Sequence, residues 1–282
     1  MQYKLVAIDI DGTLLNSRNE IPAENVQTIR ELRQRGVRFV VVTGRPDIMA
    51  REYVNTLGIS APILGCNGAT MRDVVSGETY YCKSIPLQPL TELYNYFQTA
   101  GLYPRYYGLD KVYSFNPHEF DEQRNPFAHF SKQLSRHMEF KVIAGIDELL
   151  ASGEKIIKLM YPVSDQTLLE PLQQQLRLID GVEVFRASKL SLDIVAGGIS
   201  KGVALLDYAF SLGIDRSELV AIGDSENDLS MLQAVGLPVA MGNASDGVKS
   251  VCALVTASND DAGVSRALRE IFAMERLIAE RF

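Results

Sequence analysis

Short, nearly continuous apolar runs separated by longer amphipathic stretches mark the two ends of this chain. Leu5-Val6-Ala7-Ile8, Arg38-Phe39-Val40-Val41-Val42, Pro62-Ile63-Leu64-Gly65-Cys66 and Leu219-Val220-Ala221-Ile222 read as strands. Pro22 to Arg35, Asp47 to Leu57, Lys201 to Leu212 and Glu226 to Val235 carry helical spacing. A strand covered on both faces loses the alternation of apolar and polar positions, so such runs alternating with helices predict an α/β, doubly wound parallel sheet, a Rossmann-like core. Each run ends in small or polar residues: Asp9, Thr43-Gly44-Arg45, Asn67-Gly68 and Gly223-Asp224-Ser225. Open α/β sheets bind ligands just outside the carboxyl ends of their strands, so four local patterns converge on one edge.

Between about Ile85 and Lys189 the texture changes. Tyr94, Tyr96, Tyr103, Tyr106, Tyr107, Tyr113, Tyr161 and all three histidines fall here. Strand-like runs (Lys111 to Phe115, Ile156 to Tyr161, Val182 to Phe185) mix with helical ones (Thr91 to Ala100, Gln166 to Leu178), the pattern of an α+β unit. Pro86 and Pro89 mark its entry and Ala196-Gly197-Gly198 lies just past its exit. The expected organisation is a catalytic core of residues 1–85 and 190–282 interrupted by an insertion at 86–189.

Composition narrows the function. The 282 residues include 46% hydrophobic ones, enough for a real core, and no run approaches the roughly 18 uninterrupted apolar residues of a membrane span. Met1-Gln2-Tyr3-Lys4 leads straight into the first strand, leaving no room for a signal segment, so a cytoplasmic location is expected. Cys66, Cys82 and Cys252 lack zinc-ligand spacing or a disulfide framework. A net charge of -7 without a basic cluster argues against nucleic acid as partner. A small-molecule ligand is expected, with no membrane partner and a monomer or small homo-oligomer.

Asp9-Ile10-Asp11-Gly12-Thr13-Leu14 sits directly behind the first run, so two carboxylates emerge from a strand end. In extended chain Asp9 and Asp11 project to one side, and crowded acids repel unless a cation or a proton separates them. Taken alone, the segment is equally an acidic turn around Gly12. The other motifs decide. Thr43-Gly44-Arg45, Lys201-Gly202 and Gly223-Asp224-Ser225-Glu226-Asn227-Asp228 follow in the order found in the haloacid dehalogenase superfamily of phosphotransferases, which this sequence resembles. Asn67-Gly68-Ala69, Ile199-Ser200-Lys201-Gly202 and Ala240-Met241-Gly242-Asn243-Ala244 extend the likeness to the Cof-type subfamily, whose α/β (type IIB) cap is inserted between the second and third motifs.

The resemblance implies a Mg²⁺-dependent phosphomonoesterase acting on small phosphorylated metabolites, sugar phosphates favoured. Phosphoryl transfer needs a nucleophile, neutralisation of phosphate charge and proton delivery to the leaving oxygen. Asp9 is the expected nucleophile, since a carboxylate can form an acyl phosphate. Asp11 is the expected general acid, then base. Asp9, Asp224 and the Asp11 backbone carbonyl would hold Mg²⁺. Ile10, Thr43, Gly44, Asn227 and Lys201 would bind phosphate, with Lys201 also catalytic at a helix start where the dipole favours anions. Asp228 would orient Lys201 or a metal-bound water, Arg45 and Asn67 would support the site, and Arg105 and Tyr107 of the cap would touch substrate.

Other chemistries fit less well. Gly223-Asp224-Ser225 also resembles the nucleophile block of SGNH-type esterases, but that reaction needs a histidine base and the last histidine is His137. Leu14 stands where a calcium loop requires glycine, and the Gly-Lys-Ser/Thr order of a nucleotide-binding loop is absent. A sugar phosphomutase of the same superfamily and an inactive phosphometabolite sensor share these motifs and remain open.

Overall fold

The computed structural model describes residues 2–73, 75–163, 165–188 and 190–279, with side chains in the last helix described through residue 273. The chain divides into two compact units, Met1–Tyr80 with Ser200–Phe282, and Tyr81–Ile199.

The first unit is built on a five-stranded sheet in the order Leu254–Val255, Leu237–Ala240, Leu219–Gly223, Leu5–Ile8, Arg38–Val41. Every pairing in it is parallel. Leu5–Ile8 is an inner strand, paired through Leu5 with Leu219 on one side and Arg38 on the other, and all four of its residues are fully buried. Alternation sorts the faces. Val6, Ile8, Val220 and Ile222 share one core with Ile29, Leu32, Val54, Leu57, Val264, Leu268 and Phe272 from helices Ala23–Gln34, Arg51–Leu57 and Gly263–Ala279. Helices Lys201–Ser211 and Leu229–Ala234 pack on each other, the latter also against the Leu219–Gly223 strand. The doubly wound parallel sheet is therefore present.

Two features depart from the sequence expectation. Ile63–Gly65 was expected as a further parallel strand, but it pairs antiparallel with Thr70–Arg72 in a separate three-stranded sheet completed by Thr79–Cys82. Only a single parallel bridge, Val42 to Leu64, joins it to the main sheet. The cause is the turn at Cys66, Asn67 and Gly68, whose positive φ values of 50°, 57° and 94° reverse the chain before a parallel ladder can extend. Leu237–Ala240 and Leu254–Val255 were not expected as strands: one contains Pro238, a residue without an N–H to donate, and the other is two residues long.

The second unit is α+β. Its six-stranded sheet runs Val182–Ser188, Ser191–Ala196, Lys158–Pro162, Arg105–Tyr107, Lys111–Ser114, Glu139–Val142, antiparallel except for the last pair. The insertion thus continues beyond residue 189, where the sequence placed its end; Lys189 itself lies outside the described residues. Ser191–Ala196 belongs to this sheet because it pairs on both sides within it. Asp193 breaks the apolar run Leu192 to Val195, and it is buried against Lys158 Nζ at 3.0 Å, a partner the local sequence does not announce. No helix among the described residues is long and apolar enough to cross a membrane.

Close packing at Gly202 gives a test of the core. An added Cβ there would overlap the Ser230 carbonyl. Gly202→Ala gains about 1 kcal/mol of helix propensity but incurs overpacking worth about 1–3 kcal/mol, so urea unfolding should show a net loss of up to about 2 kcal/mol. A stabilised variant would mean that the two helices separate freely.

Candidate active site

Three segments bring their polar residues to the carboxyl edge of the main sheet. The first leaves the Leu5–Ile8 strand at Asp9, whose N–H still donates to Ile222 O at 3.1 Å, and coils through a tight turn at Ile10–Leu14. Gly12 takes φ 76° there and passes so close to the Asp224 carboxylate that a side chain would not fit. The second is the start of helix Lys201–Ser211, where the Ser200 hydroxyl caps the Val203 N–H at 3.2 Å. The third follows strand Leu219–Gly223, where Asp228 turns back to accept from the N–H groups of Asp224 (2.9 Å) and Ser225 (3.0 Å).

Lys201 lies at the centre. Its ammonium is 1% exposed and donates to Asp9 Oδ1 at 2.7 Å and Asp228 Oδ1 at 2.6 Å. Burial alone would push the Lys201 amine down, but the charges of Asp228 and Asp9 outweigh it and hold the ammonium above its ordinary range. Burial, reinforced by Asp228, pushes the Asp9 carboxyl well above the usual range, with Lys201 opposing. Burial, then the Asp228 charge, pushes Asp224 up to about 6, against hydrogen bonds from Thr13 Oγ1 (2.9 Å) and Ser225 Oγ (3.1 Å). Oxygens of Asp9, Asp224 and Asp228 lie within 4.8 Å of one another. Asp228 is fully buried and committed to the Lys201 ammonium and two backbone N–H groups, whereas Asp224 is partly buried and held by the Thr13 and Ser225 hydroxyls, which can turn away in favour of a cation.

The expected phosphate-binding residues fall close by in the chain topology. Thr43 is buried, its N–H bonded to Leu64 O at 2.9 Å and its hydroxyl accepting from Arg45 N–H at 3.1 Å, with half-buried Gly44 between. Asn227 donates through Nδ2 to Asn67 Oδ1 at 3.0 Å. The Ile10 side chain is in the hydrophobic core, so only its backbone can face a ligand.

Two placements differ from the sequence reading. The Asp11 carboxylate, 51% exposed, lies outside the acidic cluster and is gripped at both oxygens by Arg45, Nε to Oδ2 at 2.7 Å and Nη2 to Oδ1, with the Tyr53 hydroxyl accepting from Nη1 at 3.2 Å. Arg105, expected to touch substrate, is consumed within the insertion: Nε donates to Glu119 at 2.8 Å and Nη2 to Ser131 Oγ at 2.7 Å and Phe127 O at 3.2 Å. Tyr107 is buried on the same sheet face as Lys158, whose Nζ lies 5.1 Å from its ring centre. Sequence reasoning also passed over Thr13, Ser225, Tyr53 and Asn243, the last holding Gly12 O through Nδ2 at 2.8 Å. Thr13, Ser225 and Asn243 stand inside quoted motifs; Tyr53 gave no signal.

A model of the haloacid dehalogenase-like hydrolases matches residues 6–268. The chain is 30% identical over 284 residues to the phosphatase YwpJ of Bacillus subtilis (strain 168), covering 95% of this chain and 99% of that one. It is 29% identical to the 5-amino-6-(5-phospho-D-ribitylamino)uracil phosphatase YwtE of the same organism, over 96% and 98% of the two chains. A solved haloacid dehalogenase-like hydrolase from Bacteroides thetaiotaomicron has a TM-score of 0.78 at 31% identity, covering 95% and 99%.

The raised Asp224 pKa sets a pH dependence. A carboxyl whose folded pKa of about 6 exceeds its ordinary 3.8 favours folding below about pH 4, and that contribution is lost as pH rises through about 6. With metal removed, the slope of unfolding free energy between about pH 4 and 6 should be more negative in wild type than in Asp224→Asn, by at most about 1.4 kcal/mol per pH unit. Urea titrations at successive pH values measure it; parallel slopes would refute the assignment.

Proposed function

We propose that this chain, which belongs to the haloacid dehalogenase-like hydrolase family, is a Mg²⁺-dependent phosphomonoesterase that forms an acyl phosphate on Asp9. Small phosphorylated metabolites are its substrates, with sugar and polyol phosphates favoured. The observation that carries the reading is Lys201, buried between Asp9 and Asp228 at the ends of two parallel strands. A salt bridge kept only for stability is rarely built with a lysine and two acids out of water, because desolvation consumes most of the Coulombic gain. Preference for a polyol phosphate draws on the phosphoribityl group in the named substrate of YwtE.

All donors in the acidic cluster are oxygens, three carboxylates beside the single Lys201 ammonium, and burial, reinforced by the Asp228 charge, raises Asp9 and Asp224, so the residues fit a hard divalent cation. Asp9, Asp224 and the Asp11 backbone carbonyl would hold Mg²⁺, which when bound supplies Lewis-acid screening of the phosphate oxygens. Lys201 occupies Asp9 Oδ1, leaving Oδ2 to attack phosphorus. The Thr43 hydroxyl, Gly44 N–H, Asn227 amide and Lys201 ammonium take the phosphoryl oxygens. As the ester P–O bond breaks, Asp11, turned from Arg45 and protonated from solvent, gives the leaving oxygen that proton. It then takes a proton from the water that attacks the acyl phosphate, releasing inorganic phosphate and regenerating Asp9. The insertion supplies specificity in this scheme, with Tyr107 as a selecting residue and Arg105 reassigned to holding the insertion together. The enzyme acts in the cytoplasm.

Phosphate release over a panel of sugar and polyol phosphates, nucleotides, pyridoxal phosphate and flavin mononucleotide tests the activity and ranks its substrates. Turnover should require Mg²⁺ and cease on chelation; full activity after exhaustive EDTA dialysis would overturn the metal assignment. Isomerised sugar phosphate in place of released phosphate would make the protein a mutase, and binding without turnover a sensor.

The two aspartates separate by substitution. Asp9→Asn should abolish turnover. Asp11→Asn should lower it roughly 10²- to 10⁴-fold on alcohol leaving groups. With p-nitrophenyl phosphate the leaving phenolate needs little protonation, so Asp11→Asn should give a burst of nitrophenolate and accumulate phosphate on Asp9. Slow turnover without a burst or covalent phosphate would contradict the division of roles.

A further inference from the structure

Cys66, Asn67 and Gly68 hold φ angles of 50°, 57° and 94° in succession, and two of the three carry a side chain. Non-glycine residues seldom enter the left-handed region, Asn more readily than most. A pair of them in a fully buried turn is maintained only when its surroundings demand it. The surroundings are the phosphate-handling segments. Cys66 N–H donates to Arg45 O and Asn67 N–H to Thr43 O, both at 2.9 Å, so the turn is laced to the Thr43–Arg45 loop through main chain. Gly68 packs so tightly against Ser200 O and the Ala204 methyl that a Cβ would not fit, which seats the turn on the start of the Lys201 helix. The Asn67 side chain reaches the third segment, with Oδ1 accepting from Asn227 Nδ2 at 3.0 Å.

Asn227 is 6% exposed, its Oδ1 has no partner among the described residues, and one of its two Nδ2 hydrogens is committed to Asn67. An amide free to rotate about its Cβ–Cγ bond would present oxygen and nitrogen to an anion with similar ease, and the oxygen would repel it. The acceptor from Asn67 removes that choice.

We propose that Asn67 is a positioning residue: its left-handed turn fixes the Asn227 amide nitrogen-first toward the phosphoryl group and ties that orientation to the Thr43 loop. This rests on the phosphatase reading above. The function of Asn67 is then to pre-orient a donor, and its loss weakens phosphate binding through Asn227 alone.

Asn67→Gly keeps the positive φ and removes the acceptor together with the rest of the side-chain amide. With p-nitrophenyl phosphate and Mg²⁺ it should raise KM, and the inhibition constant of inorganic phosphate with it, roughly 10-fold, while the melting temperature stays near wild type. Asn227→Ala should show a similar loss, and the double variant should be no worse than Asn227→Ala, because the first residue acts through the second. Calorimetric titration of inorganic phosphate should give the same non-additive pattern without turnover. In the wild-type protein, one Asn227 side-chain N–H should exchange with solvent more slowly than the other before phosphate is added, and phosphate should protect the second; this reading needs no variant to fold. Losses that multiply in the double variant, an Asn67→Gly protein that binds phosphate as wild type does, or two equally exchanging N–H groups would overturn the inference and leave the phosphatase reading intact. A wild-type protein that neither hydrolyses esters nor binds phosphate would overturn both.

Discussion

A lysine ammonium buried between two carboxylates constrains the first unit more than any other contact. Lys201 joins Asp9, a residue 192 positions away in the chain, to Asp228, 27 positions away in the other direction. The whole insertion intervenes between Asp9 and Lys201, so this bond closes the core across it. Removing the lysine would leave two uncompensated carboxylates in a water-poor site, which costs far more than the intact set contributes. The segments that carry the three residues are therefore held to their relative positions by charge as well as by packing.

Backbone geometry gives the charges their places. Asp228 serves twice, steadying Lys201 with one oxygen and capping the Asp224 and Ser225 amides with the other, so the turn after strand Leu219–Gly223 and the lysine are fixed by one carboxylate. Gly12 allows the first loop to approach Asp224, and Asn243 clasps that loop from a third segment. Removing a side chain from such a network changes the geometry of every group it touches, so a motif can name a supporting residue such as Asn67 while only the structure shows what it touches.

The parts legible in sequence were those whose partners are implied by periodicity or by a contiguous motif. Leu5–Ile8 and Leu219–Gly223 stand out because both faces are buried, and their ends locate Asp9 and Asp224. Ile63–Gly65 was misread because its run of apolar residues is indistinguishable from a parallel strand until the left-handed turn at Cys66 reverses it. Ser191–Ala196 was assigned to the wrong unit because Asp193 is neutralised by a lysine 35 residues earlier, a pairing no local window contains. Arg105 misled for the same reason. A lone arginine among tyrosines suggests a ligand contact, whereas Glu119 and Ser131, from outside its strand, use its hydrogen bonds.

Charge balance supports the proposal of a cation that the chain does not itself supply. Asp9, Asp11, Asp224 and Asp228 bring four carboxylates, Lys201 neutralises one and Arg45 another, and the pairing of Arg45 with Asp11 is complete at both carboxylate oxygens. Two negative charges remain over the four carboxylates, and burial, reinforced by the Asp228 charge, raises Asp9 and Asp224 above the usual carboxylate range. A phosphomonoester dianion approaching that pair would meet repulsion that Thr43, Gly44 and Asn227 cannot offset, since neutral donors contribute only partial charge. A divalent cation would match the remaining charge, while Lys201, bonded to Asp9 and Asp228, would add its own charge beside the phosphoryl oxygens. In the proposed reaction that charge would set the valence of the cation, and Lys201, bonded to Asp9 Oδ1, would leave Oδ2 free to attack.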